Sequence, residues 1–193
     1  MALDHRLARL VARGLAKTPV TPNMVTGTVL VCGLGAAWLL SRGGTMADWG
    51  AGLFVIAVWM DHLDGELARM LDRTSEFGHY FDHASAMTAY AGMFIGAGLG
   101  ERAGWLGPWA PAAGVAAALS VVAIFTVRIG VENRRGREAV AQTVIGGFEM
   151  EDFLYVVAPL VWLDLTAPML VTAGIVTPLF LVWVVWDETR HKA

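Results

Sequence analysis

The sequence predicts an all-α integral membrane protein with six transmembrane helices, preceded by an amphipathic juxtamembrane helix. Three observations carry this expectation. The 193 residues are 56% hydrophobic and 16% charged, with a mean hydropathy of +0.55, whereas soluble domains average about 25% charged residues. Apolar runs of spanning length recur along the chain between short polar or glycine-rich turns. Cations gather in alternate connections, the asymmetry that orients a membrane protein.

Residues 1–18 place Leu3, Leu7, Leu10, Val11 and Leu15 at helical spacing with Arg6, Arg9, Arg13 and Lys17 between them. Such a helix is suited to lie on an anionic membrane face. The same stretch lacks a continuous apolar core and a small-residue cleavage site, so no cleavable signal is expected. Thr21-Pro22-Asn23 reads as a cap with proline in the first turn, opening a span from Pro22 to Leu40. After the turn Ser41 to Thr45, a second span begins near Ala47 and runs through GLFVIAVWM into an acidic stretch. Leu71 to Phe77 is a hinge, and the third span covers Gly78 to Gly98. The fourth runs from Ala110 to Val127 and is followed by polar residues from Arg128 to Gln142. A fifth span, interrupted by Pro159, extends from Phe148 to Leu163, and the sixth from Pro168 to Trp186. The chain thus reads as one membrane domain, with a bundle over residues 22–187 and a solvated tail at 188–193.

With the amino terminus inside, twelve of the fourteen Lys and Arg residues fall on the cytosolic side, and only Arg42 and Arg102 face the other way. The positive-inside rule then puts both termini and the acidic stretch in the cytosol, at the inner membrane in a bacterium. Trp38, Trp105, Trp109, Trp162 and Trp186 lie near span ends, as an interfacial aromatic belt requires. The single Cys32 sits in an apolar run and excludes an intramolecular disulfide.

The chemistry concentrates in WMDHLDGELARMLDRTSEFGHYFDHASA, residues 59–86. Asp61 and Asp64 share a helix face, Gly65 leaves the backbone bare beside them, and Arg69 adds a cation one turn on. On the next helix Gly78 and Asp82 repeat the small-then-acidic pattern. Carboxylates are costly beside a membrane, and three converging at one mouth suit a hard divalent cation gripping phosphate oxygens. A pyrophosphate-bearing substrate follows as an expectation.

These residues spell D-x-x-D-G-x-x-A-R, eight residues, then G-x-x-x-D. The pattern resembles the signature of the CDP-alcohol phosphotransferase (phosphatidyltransferase) family, matching at Asp61, Asp64, Gly65, Ala68, Arg69, Gly78 and Asp82. The resemblance implies that Asp61, Asp64 and Asp82 hold one or two Mg2+ or Mn2+ ions against the donor's pyrophosphate. It implies that Gly65, Ala68 and Gly78 make room for the cytidine, with Arg69 near the phosphates or tying down an aspartate. Thr21-Pro22-Asn23 and Thr26 also resemble a T-P-N-x-x-T stretch of the family, which would bring Asn23 to the nucleotide or serve only as a cap. Arg128 falls where similar proteins hold a phosphate with basic residues.

The chain departs from the family at the last motif position, where the aspartate taken to be the general base is replaced by Ala86. Substitutes within the sequence are Glu149, among the acids Glu149, Glu151 and Asp152, and His79. His62 and His83 stand about 100° around their helices from the neighbouring aspartates and read as hydrogen-bonding or interfacial residues. Without a substitute the chain would be a degenerate relative or carry an inactivating substitution.

The resulting expectation is an enzyme of phospholipid synthesis. It would move a substituted phosphate from a CDP-alcohol donor, CDP-diacylglycerol foremost, to an alcohol acceptor with release of CMP. Membrane lipids and a homodimer are the implied partners, and no nucleic acid is expected. The alternatives are a CDP-alcohol-binding membrane protein without turnover and a membrane prenyltransferase, whose second aspartate-rich motif has only GGFEMED as a counterpart here.

Overall fold

Side-chain caps set where the helices of the candidate site begin. In the computed structural model, which describes residues 3–136 and 150–190, Thr21 accepts a hydrogen bond from the Met24 amide and starts α2 (Pro22–Leu40). Ser75 does the same for the Gly78 amide and starts α4 (Glu76–Gly100). The remaining helices are α1 (Leu3–Leu15), α3 (Gly44–Met70), α5 (Trp109–Arg135), α6 (Val157–Trp162) and α7 (Thr166–Arg190). Turns of 3-10 helix occupy Glu101–Ala103 and Met150–Val156, and the described residues hold no strand.

Helix α2 packs most extensively, against both α3 and α4, with α5 against α4, α7 against α5, and α1 and α6 against α3. Small residues make the tightest of these crossings. A Cβ on Gly33 would strike the Ala89 side chain, and one on Gly96 would strike the Ala37 carbonyl. Gly114 faces the Phe94 carbonyl of α4 in the same way. Such contacts draw backbones together where apolar burial does not distinguish helix from lipid. The main core holds Phe54, Tyr90, Met93, Ala117 and Leu170, and a smaller one joins Ala8 and Ala12 of α1 to Leu63 and Leu67 of α3.

Three helices, α2, α5 and α7, are long and apolar enough to cross a membrane. Helices α3 and α4 are as long, at 27 and 25 residues, but give one end to acids and histidines. Asp61 lies about 26 Å along α3 at 1.5 Å per residue, close to the far edge of a hydrocarbon core of about 30 Å.

Two elements differ from expectation. The helix of the fourth span runs on past Val127: α5 continues two turns to Arg135. Its polar end packs on α4, where the Tyr80 hydroxyl donates to Asn133 Oδ1 at 2.7 Å, and Arg134 and Arg135 pair with Glu188 of α7. Second, the described part of the fifth segment is a 3-10 turn followed by the short α6, not one continuous helix. Pro159 does not interrupt α6: it sits in the first turn of that helix, where its missing N–H costs nothing. Glu149 lies outside the described residues.

Candidate active site

The ends of α3 and α4 bring the three aspartates together. One carboxylate oxygen from each of Asp61, Asp64 and Asp82 lies within 4.8 Å of the others. Asp64 is buried and held in place, because the Thr26 hydroxyl of α2 donates to its Oδ2 at 2.5 Å. Three carboxylates with no nitrogen or sulfur among them form the oxygen donor set that suits Mg2+ or Mn2+.

Beside the trio opens a pocket of about 160 Å³, walled by Asn23 and Thr26 of α2, Asp64, Gly65, Ala68 and Arg69 of α3, and Gly78, His79 and Asp82 of α4. Two glycines shape it. A Cβ on Gly78 would come within 3.1 Å of both Asn23 Oδ1 and Ser75 Oγ, and one on Gly65 within 3.4 Å of the Arg69 guanidinium. Side chains there would fill the space between α2 and α4 and push the arginine outward.

Thr26→Val keeps the shape of a side chain that is 2% exposed and deletes the hydroxyl that donates to Asp64 and lies 3.2 Å from the Pro22 carbonyl. The expected cost is about 1.5–3 kcal/mol for a lost hydrogen bond to a charged group, read as a lower Tm in detergent. An unchanged Tm would show that the bond contributes nothing.

Residues 19–186 match the sequence profile of CDP-alcohol phosphatidyltransferases. The chain belongs to that family. It is accordingly an integral membrane protein, in keeping with its three long apolar helices. Among solved structures it resembles the crystal structure of Mycobacterium tuberculosis phosphatidylinositol phosphate synthase (PgsA1) with CDP-DAG bound. That likeness has a TM-score of 0.68 at 21% identity over 94% of each chain, and it establishes a shared fold. A comparison with curated protein sequences found no significant match.

Within this family member most of the motif residues meet at one site, while two candidates stand elsewhere. Ala86, one turn beyond Asp82, is 6% exposed and packed in the apolar core with Tyr90 and Phe94. Arg128 lies on α5, within electrostatic reach of His83, and does not line the pocket. Arg69 ties down an acid, but that acid is Glu66, whose Oε1 is 3.3 Å from its Nη2.

Glu66 was not singled out by the motif. It is 5% exposed and lies between Arg69 and Arg9 of α1, whose Nε and Nη2 donate to it at 3.3 Å each. Its i, i+3 spacing to Arg69 was a visible signal; the partner 57 positions away was not. Arg73 and Thr74, from the connection before α4, also line the pocket, and Arg73 adds a second cation to its mouth. Glu132 was missed because it follows the expected end of the fourth span. On α5 it meets His79, with Nε2 and Oε1 2.7 Å apart. His83 comes back toward Asp82, its Nδ1 3.9 Å from Oδ2, although helical pitch alone puts the two on different faces.

Proposed function

We propose that this phosphatidyltransferase family member transfers a substituted phosphate from a CDP-alcohol, CDP-diacylglycerol foremost, to an alcohol acceptor and releases CMP. The carrying observation is the aspartate trio at the edge of a pocket whose other wall holds Arg69 and Arg73. Asp61, Asp64 and Asp82 would hold Mg2+ or Mn2+, which when bound neutralises diphosphate charge and orients its oxygens. Thr26 keeps Asp64 aimed at that point. Gly65, Ala68 and Gly78 leave the backbone low enough for a cytidine, with Asn23 at its edge, and the two arginines face the phosphates. The acceptor hydroxyl attacks the β-phosphorus, that phosphorus–oxygen bond forms as the bond to CMP breaks, and the hydroxyl proton passes to solvent water. Positioning and charge neutralisation carry most of such a rate, while a general base adds about 10²–10⁴-fold.

A second reading, binding without efficient turnover, is favoured by one observation: position 86 offers a methyl group inside an apolar core. CMP release in liposomes containing CDP-diacylglycerol, with a panel of alcohol acceptors, separates the two. Release that stops on chelation is expected. Release unaffected by chelator, or none with any acceptor even for Ala86→Asp, would sink the transferase reading. Tight cytidine-nucleotide binding with no turnover would establish the second.

The same reading carries six spans, with the termini and pocket cytosolic and α1 lying along the membrane surface. In support, the pocket end of the bundle carries Arg9, Arg69, Arg73, Arg134 and Arg135, while Arg42 and Arg102 mark the other end. A homodimer completes it. Leu179, Val182 and Trp183 of α7 form an exposed apolar face that lipid or a second copy must cover.

A further inference from the structure

A second set of ligating side chains stands beside the aspartates. His79 and His83 are one turn apart on α4, with ring centroids separated by 4.4 Å. Glu132 reaches both from α5 and is 9% exposed. Its Oε1 lies 2.7 Å from His79 Nε2, and its Oε2 lies 3.9 Å from His83 Nε2. One ligand atom from each residue falls within 4.8 Å of the others.

We propose that His79, His83 and Glu132 form a separate cation site for a transition-metal dication of the zinc or cobalt(II) type. Two imidazole nitrogens and one carboxylate suit such ions, whereas magnesium takes oxygen ligands and keeps its waters. Histidines at i, i+4 chelate from a single helix face, and a glutamate from the facing helix closes the set. Bonds of about 2.0–2.2 Å in a tetrahedral shell place donors about 3.3–3.5 Å apart. The three ligand atoms, now within 4.8 Å of one another, would have to draw together by up to about 1.5 Å to reach that spacing, within reach of side-chain rotation. Three protein ligands leave a fourth position open.

The surroundings fit. Asp82 Oδ2 is 3.9 Å from His83 Nδ1, on the ring nitrogen away from Glu132, where a carboxylate orients a metal-bound histidine. Arg128, one turn before Glu132, opposes a cation, but the carboxylates of Glu132 and Asp82 outnumber it. Because His79 lines the pocket and Asp82 belongs to the trio, an ion here would lie against the donor site.

The test uses untagged, chelator-stripped protein in detergent with saturating Mg2+. Calorimetry is expected to find one equivalent of Zn2+ that Mg2+ does not displace, and Co2+ to give the visible absorption of a low-coordinate site. His83→Ala and Glu132→Gln should each weaken Zn2+ by at least about tenfold, while Asp64→Asn retains it. Zinc X-ray absorption on the unaltered protein reads imidazole scattering without needing any variant to fold. An oxygen-only shell, full displacement by Mg2+, or undiminished affinity in the His79→Ala, His83→Ala double variant would each overturn the proposal. None of these readouts uses CMP release, so its failure and that of the transferase reading are told apart.

Discussion

Asp64→Asn is expected to lower CMP release by about 10²–10³-fold, the usual loss when one fixed electrostatic partner of a developing charge is removed. The substitution changes charge and almost nothing else. An amide fills the same volume, and its oxygen can still accept from the Thr26 hydroxyl that now lies 2.5 Å from Oδ2. The fold should therefore persist, with an unchanged elution profile in detergent and a small shift in Tm. What disappears is one of three negative charges gathered within 4.8 Å, and with it much of the attraction for a divalent ion. Cytidine nucleotide binding in the presence of Mg2+ should weaken in parallel, whereas binding measured in chelator should be the same for both proteins. Retention of full activity would remove Asp64 from the ion site and with it the reading of the trio.

The largest loss of stability is expected from Gly96→Val. A Cβ at this position would run into the Ala37 carbonyl and come within 2.9 Å of its carbon. The obstacle is backbone, not the movable tip of a side chain, so α2 and α4 would have to separate along an extensive contact. Overpacking of this kind costs about 1–3 kcal/mol and sometimes more. Gly27→Ala on α2 is the matched control, because nothing lies within 4 Å of its Cβ position. Alanine exceeds glycine in helix propensity by about 1 kcal/mol, so this change should leave Tm equal or higher. A valine at position 96 that melts like the parent protein would refute the close approach of the two helices.

The site was more legible than the span boundaries. Asp61, Asp64, Gly65, Ala68, Arg69, Gly78 and Asp82 stand at intervals that helical pitch converts into shared faces, and six of them line one pocket while Asp61 completes the trio. Helix α2 begins and ends at Pro22 and Leu40, as cap and hydropathy imply. Hydropathy alone could not show that α5 outlasts its apolar stretch, because what holds the last two turns is polar pairing with α4 and α7. Nor could the motif reveal Glu66, whose meaning lies in the guanidinium of Arg9 on another helix.

By itself, then, the order of residues determined that the chain is helical and apolar enough for a membrane. It also determined that an acidic, glycine-flanked signature lies where the second and third long helices meet. These properties are local: composition, periodicity and short intervals decide them. Only the tertiary structure decided that Ala86 is enclosed by core side chains, that Thr26 holds Asp64, and that Glu132 joins His79 and His83 in one cluster. Those pairings join residues far apart in the chain, and what sets them is how closely glycines and alanines let the helices approach.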